Sequence, residues 1–338
     1  MNKKRRKKNK TKFSYKKFAL FIIYIIGFMV ITSPILLLFG PYSDVRKMVL
    51  GTVLATRHSY LITKFIPDAT INEMMDKTDN ATSAMKEDTS LIKINNTSGN
   101  DITRYDFHTD KYDGYMLEIK NPKKVKVAMT KYLGKVGEKT SELAKDHNAI
   151  AAINGGAFSD QTPDGKMYEG TGAVPGGFVI SEGKVIYPKE NIDYKNPISS
   201  IAITKNGVLL VGSYSINDLK SLNVNEAMCF DKVPLIVNGE RQIKAKNKLE
   251  DGFNPRTAIG QKKDGTILLL VIDGRKSVSK IGATLYDVQE IMMSRGAVNA
   301  GKLDGGYSST MYYDGEVINS PNVWSGERKV ATAFYVEK

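Results

Sequence analysis

An uncharged run, Phe18–Phe39, dominated by Phe, Ile, Leu, Val and Met, limits the folds open to this 338-residue chain more than any other feature. It is long enough to cross a ~30 Å hydrocarbon layer as a helix. In lipid a helix satisfies every backbone donor and acceptor within one segment. A single transmembrane helix at 18–39 is therefore expected, with Gly27 and Pro34 tolerated inside it. The preceding 1–17 segment holds ten of the 49 Lys and Arg and no acid. Such a basic tail stays in the cytoplasm, so the chain is expected in the cell membrane, single-pass, with everything after Gly40 outside. A cleaved signal peptide fits less well, because the run exceeds an h-region of about 7–15 residues and Phe39-Gly40-Pro41-Tyr42 is no small-residue cleavage site.

The formal charge of +13 belongs to that tail, since without it 39 basic side chains face 36 acidic ones. A nucleic-acid-binding face is thus not expected. With 41% hydrophobic and 25% charged residues, the length suits one large domain or two ordinary ones. The single cysteine, Cys229, forms no internal disulfide and reads as a small buried hydrophobe.

Residues 43–66 carry Val45, Met48, Val49, Val53, Leu54, Leu61 and Ile62 at mostly helical spacing, with Ser43 as cap and Pro67 as terminator. This predicts a membrane-proximal amphipathic helix. Residues 67–101, rich in Asp, Asn, Thr, Ser and Lys, read as a polar stalk with a helical stretch near Ile71–Met75. From 102 to 338 short apolar runs alternate with turn signals, among them 115–119, 125–129, 149–153, 267–272 and 332–336. Helical periodicity is confined to 137–147 and 284–295. The expected fold class is α+β, with mixed or antiparallel sheets and a few helices. Hairpins at Ser181-Glu182-Gly183 and Lys205-Asn206-Gly207 support antiparallel pairing.

Two segments stand out for chemistry, Asn254-Pro255-Arg256-Thr257-Ala258-Ile259-Gly260 and Leu303-Asp304-Gly305-Gly306-Tyr307-Ser308-Ser309-Thr310. Each puts polar groups on a glycine-bearing turn beside an apolar run. Arg256 offers a planar fork of donors suited to phosphate or carboxylate, and glycine permits close backbone approach to a ligand. Asn154-Gly155-Gly156 and Asp273-Gly274-Arg275 likewise follow apolar runs and belong at strand ends. No His or Cys cluster has zinc spacing.

Together with Gly176-Gly177-Phe178, Asn299-Ala300 and Arg328-Lys329-Val330, these motifs resemble the phosphodiester glycosidase family over about 111–338. The departures are Ala157, where an aromatic is commoner, and Tyr307, where a third glycine is usual. The resemblance implies a glycosidase acting on glycosyl-1-phosphodiesters. It casts Asp304, Asp273 and Arg256 as catalytic groups. Asn154, Gly156, Thr257, Gly305, Gly306, Ser308, Ser309 and Arg328 are expected to line the substrate site, with Glu169 on a covering loop. Two carboxylates could divide acid and nucleophile or base roles, or could hold a divalent cation, although no cofactor is required. The partner would be a phosphate-containing glycan or sugar phosphate, and an outward-facing domain suggests a cell-envelope glycopolymer. Rival readings are a non-catalytic polysaccharide-binding or assembly protein, and a phosphodiesterase cutting the P–O bond.

Overall fold

Strands form where the sequence places apolar runs in the computed structural model, which describes residues 14–54, 59–75, 87–94, 101–159, 171–245, 249, 251–277, 279–321 and 326–338. The chain divides into two units, residues 1–46 and 47–338. The first contains helix Tyr15–Phe39, none of whose residues is buried. By length and composition it could cross a membrane.

The second unit is α+β, as expected. Its largest sheet has seven strands in the order 102–108, 113–119, 267–272, 256–262, 297–302, 234–237 and 240–241, each antiparallel to its neighbour. A five-stranded sheet runs 184–187, 179–181, 224–229, 198–204, 209–214, and another runs 316–317, 311–313, 149–154, 332–337, 125–129. Leu117 and Val271 of the large sheet share one core with Ile201 and Val211 of the second sheet and Ile153 and Phe334 of the third. On the large sheet's other face Val288 and Met292, from helix Leu285–Ser294, pack on Leu268, Leu270 and Ala300. Strand Ile267–Ile272 is therefore buried on both sides, which is why it reads as an unbroken apolar run. Each such buried aliphatic side chain contributes about 1.5–3 kcal/mol.

Departures from the expected layout have local causes. The 137–147 region splits into strand Glu138–Lys139 and helix Thr140–Asp146. Within 43–66 the described residues form helices Ser43–Leu54 and Tyr60–Thr63, and residues 55–58 lie outside the described residues. Pro67 caps a further helix, Asp68–Met74. Segment 87–94, expected in the stalk, packs on the domain instead. The Glu87 carboxylate accepts hydrogen bonds from Val211 N and Tyr214 Oη, Lys93 N donates to Lys263 O, and Ile92 is buried. Polar composition concealed these few anchoring contacts.

Candidate active site

Strand ends from the large sheet and from the 149–154 sheet converge at one place, where Asn154 ends its strand fully buried. Its Oδ1 accepts from Thr257 Oγ1 at 2.7 Å and from Thr310 N at 3.1 Å, while its Nδ2 donates to Asp304 O at 2.6 Å. One amide thus joins three of the segments singled out in the sequence. The Asp304 turn is further fixed by Leu303 N to Thr257 O at 2.9 Å, Asp304 N to Gly155 O at 3.1 Å and Gly306 N to Pro255 O at 2.9 Å. A Cβ on Gly156 would lie 2.2 Å from Cys229 O, so only glycine lets these strands approach. Gly306 has φ +62°, the left-handed region. Asn154 and Gly156, expected to touch substrate, are therefore buried supports, and the Gly306 N–H is already committed to Pro255.

Arg256 starts strand 256–262 and is caged by backbone. Nε donates to Ala283 O at 3.0 Å, and Nη2 donates to Asp251 O and Gly252 O, both at 2.8 Å. These bonds commit two nitrogens and leave Nη1 outside them. Burial pulls the guanidinium pKa down to about 10, Asp251 opposes that fall and nearby Arg275 adds to it. Arg275, given no role in the sequence reading, donates from Nη2 to Asn254 Oδ1 and lies 5.1 Å from the Tyr307 ring centroid. A Cβ on Gly306 would sit 3.6 Å from its Nη1. Its pKa is lowered, again first by burial. Lys302, two residues before Asp304, is depressed by burial too, with Asp251 opposing and Arg256 reinforcing the shift. Arg256 and Arg275 are tied to the same 251–254 segment and the charge of the one opposes that of the other, an arrangement that an anion beside them would relieve, whereas the Lys302 ammonium lies over the Phe230 ring, 5.5 Å from its centroid.

Asp273, expected as the second catalytic carboxylate, is enclosed at 1% exposure. It accepts from Asn319 Nδ2 at 2.7 Å and Ser320 N at 2.9 Å and pairs with Lys276 Nζ at 2.7 Å. Those partners make it an anchor for the 319–320 loop. Asp304 is half-buried. Among the described residues no cluster of three or more His, Cys, Asp or Glu side chains is placed to hold a metal ion. With its carboxylate satisfied by Lys276, Asn319 and Ser320, Asp273 does not suit the cation-holding role considered from sequence.

The Ser308, Ser309 and Thr310 hydroxyls are buried without a hydrogen-bond partner among the described residues. An unpaired buried hydroxyl costs roughly 1–3 kcal/mol, and such defects concentrate where function requires them. Arg328 stacks on Phe158, 4.8 Å from its ring centroid, at the end of the Asn154-Gly155-Gly156 loop. Its neighbour Glu327 bonds Ser141 N at 2.9 Å and Ser141 Oγ. Glu169 and the expected covering loop around it lie outside the described residues.

Comparison with known proteins relates this chain to one family. The sequence profile described as phosphodiester glycosidase matches residues 147–337. N-acetylglucosamine-1-phosphodiester alpha-N-acetylglucosaminidase from Bos taurus is 24% identical over 217 residues, covering 58% of this chain and 38% of that protein. The Homo sapiens protein of the same name is 25% identical over 156 residues, covering 44% and 27%. The SPbeta prophage-derived uncharacterized protein YomE of Bacillus subtilis is 45% identical over 67 residues, covering 20% and 10%. The chain thus spans well under half the length of these relatives. Among solved structures, the zebrafish N-acetylglucosamine-1-phosphodiester alpha-N-acetylglucosaminidase catalytic domain, auto-inhibited by its pro-peptide, shares the fold, with a TM-score of 0.56 at 21% identity, covering 75% of this chain and 87% of that one.

Proposed function

The chain belongs to the phosphodiester glycosidase family, and on that premise we propose that it hydrolyses the bond between a sugar's anomeric carbon and a phosphodiester. The observation that carries this reading is the packing of the Asp304 turn on Pro255, with Arg275 Nη1 3.6 Å from where a Cβ of Gly306 would stand. An acid and a guanidinium then serve one substrate. The departing phosphate ester is a weak base and needs little protonation, so cationic stabilisation carries much of the barrier lowering. Arg275, and Arg256 through Nη1, supply it, and Arg328 flanks the sugar side beside Phe158. Asp304 acts at C1, either attacking directly or taking a proton from water. In either case the attacking oxygen, of Asp304 or of water, bonds to C1 as the C1–O bond breaks and leaves its electron pair on the phosphate oxygen, and after direct attack water cleaves the glycosyl–Asp304 ester to free the sugar. Thr257 and Asn154 hold Asp304 in place, and Gly305 lets the turn lie against Pro255, where a Cβ would come within 2.8 Å of the carbonyl oxygen.

Helix Tyr15–Phe39 anchors the protein in the cell membrane with residues 1–17 cytoplasmic. That topology makes a phosphate-linked glycopolymer of the cell envelope the substrate class. The test is to incubate the full chain in detergent with UDP-N-acetylglucosamine or a polymer-derived glycosyl phosphodiester and identify the products. Free sugar with an intact phosphate ester supports the proposal. Sugar phosphate indicates a phosphodiesterase, and binding without product indicates a polysaccharide-binding protein.

A further inference from the structure

We infer that Thr52, on the helix that follows the apolar segment, is a positioning residue for the anion site. Within the second unit, the Thr52 hydroxyl accepts from Phe253 N at 3.2 Å and donates to Met48 O at 2.7 Å. Gly252 has φ +59°, and a Cβ there would come within 2.3 Å of Thr52 N. Leu50 and Gly51 beside it are buried, so this part of the helix is packed rather than loosely apposed. The clamped segment, 251–254, is the one that orients the guanidinium groups. Asp251 O and Gly252 O hold Arg256 Nη2, and Asn254 Oδ1 holds Arg275 Nη2. Asn254 in turn pairs in both directions with Ala283, whose carbonyl receives Arg256 Nε.

The chain of contacts therefore runs from Thr52 to Gly252 and Phe253, and through four backbone or amide oxygens to Arg256 and Arg275. A caged guanidinium is only as well placed as its cage. The 251–254 segment is a loop, and a loop holds a site as rigidly as its own packing allows. Residues 47–54 supply part of that packing from far away in sequence. A catalytic domain cut at residue 101 would keep every residue of the site and lose this brace.

This inference rests on the proposed anion site, so its test includes a variant of that site. Inorganic phosphate is titrated into the full chain in detergent for wild type, Thr52→Val, Thr52→Ser and Arg256→Gln, and amide exchange at Phe253 is followed in parallel. Losing one hydrogen bond of about 1 kcal/mol that orients the cage corresponds to a roughly five- to tenfold loss of phosphate affinity. Thr52→Val is expected to show that loss together with faster Phe253 exchange, and Thr52→Ser to restore both. Wild-type phosphate affinity in Thr52→Val, with binding lost in Arg256→Gln, overturns the role of Thr52 and leaves the anion site standing. Undiminished binding in Arg256→Gln overturns the site and this inference together.

Discussion

The guanidinium carbon of Arg275 lies 5.1 Å from the centroid of the Tyr307 ring, so a residue emerging from strand 267–272 is braced by one that follows Asp304. The pairing places an aromatic wall beside the proposed anion site. A cation over an aromatic face is stabilised by about 0.5–2 kcal/mol. Tyr307→Leu should therefore raise KM for a glycosyl phosphodiester roughly 2- to 30-fold with kcat nearly unchanged. Arg275→Lys loses the planar fork as well as the stacking and should cost more, which steady-state kinetics on both variants will check.

Asn154→Ala should be among the most damaging single changes in the domain. It strips partners from the buried Thr257 hydroxyl, the Thr310 N–H and the Asp304 carbonyl. Leaving buried polar groups unmatched costs about 1–3 kcal/mol each, with partial relaxation, so a loss of roughly 2–4 kcal/mol is expected. Urea denaturation measures it. A loss below about 1 kcal/mol would show that Asn154 is not the hub described.

Thr310→Val and Ser308→Ala should behave in the opposite way. Both hydroxyls are buried and unpartnered among the described residues, so removing them relieves a desolvation cost. The unfolding midpoint should stay level or rise, by up to about 1 kcal/mol in stability, while turnover falls. A clear drop in stability would mean that the hydroxyls are satisfied internally.

Asp113 predicts an acid limb in the stability curve. Burial alone would raise its pKa, but Lys280, His108 and Lys276 hold it well below the ordinary 3.8. A carboxyl whose folded pKa is depressed contributes stability that is present above its unfolded pKa and is lost as pH falls toward the folded value. Thermal melts from pH 6 down to pH 2, roughly, should show this loss beginning near pH 4. Asp113→Asn should flatten the limb and cost about 1–3 kcal/mol at neutral pH.

The sequence disclosed much of this architecture because burial leaves periodic traces. Ile267–Ile272 is apolar throughout since both its faces are covered, and Glu182-Gly183 marks a hairpin since both residues take positive φ. Strands 256–262 and 297–302 were illegible for the converse reason. Gly260, Gln261, Asn299 and Gly301 are small or polar residues buried by close packing and internal bonds. Gln261 Nε2, for example, donates to Gly207 O at 2.7 Å and Gly265 O at 2.9 Å. The site divided in the same way. A glycine-rich turn marks Asp304 as a candidate, whereas the 254–260 segment, expected as a turn, gives way to strand Arg256–Lys262 with the arginine at its start, and carboxylate type alone does not separate Asp304 from the enclosed Asp273. Arg275 and Lys302 gave no signal beyond their charge, since the left-handed turn at Arg275 (φ +57°) and the burial of Lys302 arise only from tertiary packing.

Hydrolysis in water enriched in oxygen-18, followed by mass analysis of the released phosphate ester, tests the central claim most directly. Cleavage at the anomeric carbon places the heavy oxygen on the sugar and leaves the phosphate ester unlabelled, and Asp304→Asn should abolish the reaction while the protein stays folded. Label in the phosphate, or full turnover by Asp304→Asn, would contradict the account.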